Sequence, residues 1–216
     1  MKKLIQGIID FRASLSPENQ EKFAQLALGQ SPDVLFIACS DSRVVPNLFA
    51  STDPGDLFVV RNVGNIVPCS ETNKNTCCAE AAAIEFSVDV LKVRNIIICG
   101  HSECGAMQAM ASGIDTPEHV ETWLNNSIKS LDRLKNEPLN SMPAERYNQL
   151  SQVHVIQQLE NLMTYDVIKE KVENNTLGIH GWWFDIATAQ VMAYDKSKNQ
   201  FVIINDEYFE KVLPQL

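Results

Sequence analysis

The chain has 216 residues, 45% of them hydrophobic and 21% charged, enough for one globular domain with a substantial core. Its formal charge is −9 and no Lys/Arg stripe interrupts the acidic balance, so a phosphate-tracking nucleic-acid surface is excluded. The longest apolar run is six residues, which excludes a helix spanning a membrane.

The opening MKKLIQGIIDF has the lysines and apolar residues of a signal peptide. Gln6 and Asp10 interrupt it and no small-residue cleavage site follows, so an amphipathic helix over 2–14 is predicted. A second helix is predicted over 17–28, with Ser16 as N-cap, Pro17 in the first turn and Gly29 as the stop. VLFIAC (34–39) is a short buried strand, and LFVVR (57–61) a second after the turn DPGD. The alanine-rich CAEAAAIEFSVDVL (78–91) has helical composition, NIIICG (95–100) is a third strand, and GAMQAM begins another helix. Long helical stretches follow over about 117–135 and 144–173, as judged by apolar period. The tail alternates through LGIHGWWFDI, VMAYD and FVIIND, as strands of a meander or sheet edge do.

Strands that alternate with helices imply right-handed crossovers. The expected fold is α/β: a central, mostly parallel sheet flanked by helices, with an antiparallel C-terminal edge. One domain is expected over 1–216, with a helical arm at 1–30 and the α/β core at 31–216.

In such sheets ligands gather at the carboxyl ends of the strands. Two of the three buried strands end in polar clusters, CSDSR (39–43) and GHSECG (100–105). His101 and Cys104 stand at H-x-x-C spacing in a loop bracketed by Gly100 and Gly105, so both side chains can be aimed at one point. With Cys39 they make two thiolates and an imidazole, a set suited to Zn²⁺ that leaves a fourth position open. Asp41 is placed either to take that position or to accept a hydrogen bond from water in it. Arg43 is spaced to hold the Asp41 carboxylate with its planar fork. A phosphatase-type loop needs Cys and Arg farther apart. An iron–sulfur site needs another well-placed Cys, and Cys77 and Cys78 look like small residues at a helix start. Six cysteines without an export signal read as reduced thiols or metal ligands, which points to the cytoplasm.

C-S-D-S-R followed some sixty residues later by G-H-S-x-C-G resembles the β-class carbonic anhydrases, as do RNVGNIVP (61–68), AAIEF (82–86) and HGWWFD (180–185). The resemblance implies one Zn²⁺ per chain on Cys39, His101 and Cys104, with Asp41 and Arg43 as the catalytic pair. It implies reversible hydration of carbon dioxide to bicarbonate by zinc-bound hydroxide. It also implies homodimers that often associate further, with active sites at the dimer interface. Neither nucleic acid nor membrane is an expected partner.

The resemblance further sorts the chain with the plant-like, open-site members. Gln30 lies nine residues before Cys39, and Phe58, Val63, Phe86 and Gly105 fall at pocket positions. Other members carry a Trp, an Arg and a Tyr that hold bicarbonate and favour an inactive, Asp-ligated zinc. Only Arg61 of those three is present, with Phe36 and Phe184 at the other two positions. His119, His154 and His180 read as surface or packing residues, and Trp182 and Trp183 as interface or sheet-face aromatics.

Overall fold

The runs VLFIAC and NIIICGH are apolar without alternation, as strands covered on both faces are. They form β1 (Val34–Cys39) and β3 (Asn95–His101), each buried at every position after its first. β1 pairs in parallel with β2 (Leu57–Asn62) on one side and with β3 on the other. β4 (Gly178–Asp185) continues the sheet in parallel from β3. β5 (Gln190–Asp195) and β6 (Gln200–Ile203) then turn back antiparallel, giving the order β2-β1-β3-β4-β5-β6. The first run of the tail is therefore a parallel strand, and the antiparallel edge starts only after it.

This computed structural model describes residues 1–73 and 78–212; Cys77 lies outside the described residues. Chain contacts divide it into two units, Met1–Ser31 and Pro32–Leu216. The first holds α1 (Lys2–Ser14) and α2 (Pro17–Leu26). The Ser16 hydroxyl accepts the Asn19 N–H at 3.1 Å, and Phe11 meets Phe23 edge to face. α2 stops at Leu26, ahead of the Gly29 expected to end it.

In the second unit α3 (Pro46–Phe49) is a single turn between β1 and β2. α4 (Ala79–Glu85) does not run on to Leu91, since Phe86–Val90 widens into a π-turn. α5 (Gly105–Ser112) leaves the end of β3. The helix expected over 117–135 is α6 (Glu118–Leu124) and α7 (Ile128–Asn136), joined by a 3₁₀ turn at Asn125–Ser127. The stretch over 144–173 is likewise α8 (Arg146–Leu162) and α9 (Asp166–Glu173). Between these two, Tyr165 is extended (φ −86°, ψ 119°) as the N-cap of α9, and its hydroxyl donates to the Pro68 carbonyl at 2.8 Å. α10 (Asp206–Val212) begins inside FVIIND, whose end was expected to be strand.

α8 supports the sheet. It packs close to β3 because Gly100 has no side chain: a Cβ there would lie 2.7 Å from a Val155 methyl. Its buried side includes Ser151, Gln152, His154, Gln157, Gln158 and Asn161, and buried polar groups need partners. The Val67 N–H donates to Gln158 Oε1 and the Asn161 amide donates to the Val67 carbonyl, both at 2.8 Å. His154 Nε2 meets the Gly64 carbonyl at 2.8 Å, while Nδ1 faces the Ser130 hydroxyl at 3.0 Å and the Gln158 amide nitrogen at 3.2 Å. That pattern suits a neutral imidazole with its proton on Nε2.

Burial pushes the His154 pKa down from 6.5 to about 4. Between those values the unfolded chain binds the extra proton, so stability is fully present above the unfolded pKa and is lost as pH falls towards the folded one. The gap corresponds to about 3 kcal/mol. Urea unfolding should show wild type losing more stability than His154→Asn between neutral pH and about pH 5. Parallel losses in the two proteins would show that His154 is not the group responsible.

Candidate metal centre

Parallel register places the carboxyl ends of β1 and β3 together: Ala38 pairs with Cys99, so Cys39 and His101 emerge at the same edge. Cys104, at the N-cap of α5, turns back towards them. One donor atom from each of Cys39, His101 and Cys104 lies within 4.8 Å of the others, and all three residues are buried. His101 Nδ1 faces the Ser102 carbonyl at 2.8 Å, while Nε2 is buried with no hydrogen-bond partner. With the proton on Nδ1, Nε2 presents a lone pair to the two sulfurs. The Ser151 hydroxyl holds the His101 carbonyl at 2.8 Å and accepts the Trp183 indole N–H at 3.0 Å.

The Cys39 thiol is pushed well down, first by a hydrogen bond from Cys104 and further by His101 and the Gly64 N–H. Cys104 is pushed up by the same shared hydrogen bond and by burial. A dication bound between the two sulfurs would displace their protons. Two thiolates and an imidazole with an orphaned nitrogen fit a borderline-soft ion such as zinc.

Gly64 completes the sulfur's surroundings, its N–H donating to Cys39 Sγ at 3.4 Å. Its φ of +83° is a left-handed conformation, and a Cβ there would meet Ala106 at 3.2 Å, so this turn requires glycine. RNVGNIVP contributed to the resemblance, but nothing local in it announced this contact.

Asp41 and Arg43 stand beside the cluster. Arg43 Nε donates to Asp41 Oδ1 at 2.9 Å and Nη2 to Oδ2 at 2.7 Å, and the Arg43 backbone N–H adds a third bond to Oδ1 at 3.0 Å. These bonds, with the Arg43 side chain first, hold the Asp41 carboxyl well below the usual range. Arg43 Nη2 also donates to the Glu103 carbonyl at 2.9 Å. Arg61 is spent on the main chain, giving Nε to the Cys39 carbonyl at 3.0 Å and Nη2 to the Asp41 carbonyl at 2.6 Å. Phe36 and Phe184 are buried in an aromatic group with Phe49 and Trp182; Phe49 stacks on Phe184 with ring centres 4.7 Å apart.

Phe58 and Phe86 lie with ring centres 5.9 Å apart. Val63 is half exposed, receives the Trp123 indole N–H on its carbonyl at 2.7 Å, and lines a cavity of about 330 Å³ with Asn62, Glu80, His119, Val120 and Trp123. Gly105 opens α5 beside Cys104. Gln30 belongs to the first unit, where it is exposed after α2. His154 and His180 are packing residues, the latter bonded to Asn95 at 2.9 Å, and His119 is exposed. Cys78 is the residue before α4, with its sulfur on Glu80.

Known proteins share this chain's sequence and fold. A family model described as carbonic anhydrase matches residues 34–191. A carbonic anhydrase of Pseudomonas aeruginosa is 38% identical over 204 residues, covering 94% of this chain and 91% of its own. Carbonic anhydrase 1 of Escherichia coli O157:H7 is 40% identical over 206 residues, with the same two coverages, 94% and 91%. Among solved structures, the β-carbonic anhydrase CcaA superposes with a TM-score of 0.85 at 35% identity, covering 94% of this chain and 99% of that one. A structure described as one of two tetrameric β-carbonic anhydrases from Sordaria macrospora gives a TM-score of 0.76 at 29% identity, with 89% and 95% covered. The chain belongs to the carbonic anhydrase family, in its β class.

Proposed function

We propose that the protein catalyses the reversible hydration of carbon dioxide to bicarbonate and a proton, with one Zn²⁺ per chain held by Cys39, His101 and Cys104. The observation that carries this reading is the buried Cys–His–Cys cluster, with its orphaned imidazole nitrogen, beside an Asp41 gripped by Arg43. Zinc bound there supplies a Lewis acid able to ionise water near neutral pH.

The chain's own residues supply direction. Arg43 keeps Asp41 ionised, so the carboxylate can only accept hydrogen bonds. Oδ1 already receives two N–H groups and Oδ2 only one, so Oδ2 retains a lone pair for the O–H of the attacking nucleophile. That bond turns the nucleophile's free pair towards the substrate carbon. Phe58, Val63 and Phe86 give an apolar wall suited to an uncharged linear molecule, with Gly105 at the start of α5 completing the pocket. We place the protein in the cytoplasm as a homodimer or larger assembly. The exposure of Val63 and Phe86 and the tetrameric neighbour support shared pockets between subunits. Free thiols at all five described cysteines suit a reducing compartment.

Stopped-flow measurement on zinc-loaded protein tests the reading directly: absence of carbon dioxide hydration would refute it. Cys104→Ala should lose nearly all zinc by metal analysis, whereas retained zinc together with a requirement for Cys78 would assign the metal elsewhere. Asp41→Asn and Arg43→Ala should keep zinc and fold while hydration falls about a hundredfold. Wild-type rates in both would remove the pair from the mechanism.

The site belongs to the open kind on this reading. A buried anion needs donors, and Arg61 has already committed Nε and Nη2 to carbonyls, while Phe36 and Phe184 offer none. In a crystal structure at neutral pH with bicarbonate, Asp41 should remain on Arg43. Asp41 on the metal with an anion beside Arg61 would overturn this assignment.

A further inference from the structure

We propose that Asn148 is a positioning residue of this site, acting through Glu103 to fix the Arg43–Asp41 pair; the inference rests on the carbon dioxide hydration reading above. Glu103 lies between His101 and Cys104, and its φ of +57° puts a non-glycine residue in the left-handed region. That conformation costs on the order of 1 kcal/mol or more and persists only where surroundings enforce it.

Here the first turn of α8 enforces it from three directions. Asn148, itself buried, accepts the Glu103 N–H on Oδ1 at 2.8 Å and donates from Nδ2 to Glu103 Oε1 at 3.1 Å. The Tyr147 hydroxyl donates to the same carboxylate, at 3.0 Å to Oε2 and 3.2 Å to Oε1. One asparagine thus grips both the main chain and the side chain of Glu103.

The reason for holding this residue so firmly lies on its other face. The Glu103 carbonyl accepts Arg43 Nη2 at 2.9 Å, and the same nitrogen donates to Asp41 Oδ2 at 2.7 Å. The Arg43 side chain is 47% exposed. The Arg43 backbone N–H already holds Oδ1, but without the Glu103 carbonyl the guanidinium end and Oδ2 could still swing together about that point. With it, the pair has a fixed third point, and Oδ2 keeps one direction. The route runs from α8 through Asn148 and the Glu103 peptide to Arg43, and ends on the carboxylate oxygen assigned to the nucleophile.

A charge-swap series tests this in the zinc-loaded protein. N148D keeps an acceptor for the Glu103 N–H but sets a carboxylate against the Glu103 carboxylate. N148D/E103Q restores a donor–acceptor pair with reversed polarity, since the new amide donates to the new carboxylate. Two readouts are taken: kcat and KM for hydration, and the rate at which phenylglyoxal modifies Arg43 in the folded protein, followed by peptide mass spectrometry. N148D should lower kcat about tenfold with KM and zinc content unchanged. It should also raise Arg43 modification roughly threefold or more. The double variant should recover both within about twofold. If N148D does not fold, Glu103→Ala replaces it, with the same direction expected in both readouts. Wild-type kcat and Arg43 reactivity in the folded single variant would overturn the proposal, as would a well-folded double variant that recovers neither. A zinc-loaded wild type that hydrates no carbon dioxide would refute the functional reading instead, and the Arg43 rates would still report on the clamp.

Discussion

The parallel pairing of β1 with β3 is the constraint from which the site follows. Residues Val34 to Ala38 lie in register with Asn95 to Cys99, so Cys39 and His101 finish at a common edge. A shift of one residue would turn each side chain to the opposite face and separate the donors. β3 is held on its other side by β4, with His101 opposite Phe184, and from beneath by α8 approaching at Gly100. Both strands are buried on two faces, which leaves their carboxyl ends as the place where polar chemistry reaches solvent.

Polarity at that edge is arranged in two tiers. The inner tier is the sulfur–imidazole cluster, buried and supported by the Gly64 N–H and the Ser151 hydroxyl. The outer tier is Asp41 and Arg43, more accessible, where strength comes from bidentate geometry rather than burial. Arg61 joins the tiers by binding the carbonyls of both Cys39 and Asp41. An exposed ion pair alone contributes little to stability. Its value here is directional, since three bonds from one residue leave Asp41 few orientations.

Much of this was legible in the sequence, for identifiable reasons. VLFIAC and NIIICG announced buried strands by lack of alternation, and β1 and β3 form there. H-x-x-C after one strand and a Cys after another announced three donors, and the structure gathers those three. The long helical stretches were legible as helix but not as pairs; the break at Tyr165 accompanies a hydroxyl bond to Pro68, 97 positions away, which local pattern does not carry. The polar side of α8 gave no signal for the same reason: Gln158 bonds to Val67 across 91 positions. Asn148 and Glu103 are 45 residues apart, and neither carries a pattern that names the other. Local periodicity reports what a segment buries, and it is silent on hydrogen bonds made between segments.

The placement of α8 has a consequence for synthesis of the chain. Growing from its N-terminus, a nascent chain contains all three donors once Cys104 has emerged. Ser151, which holds the His101 carbonyl, arrives 50 residues after its partner, and β4, the neighbour of β3, arrives later still. For that interval the thiols and imidazole are present without the helix and strand that enclose them. Pairings of such long sequence separation form slowly. The nascent protein therefore carries a chelating, oxidisable triad ahead of its own enclosure, and a metal ion taken up before closure would shield both thiols from oxidation.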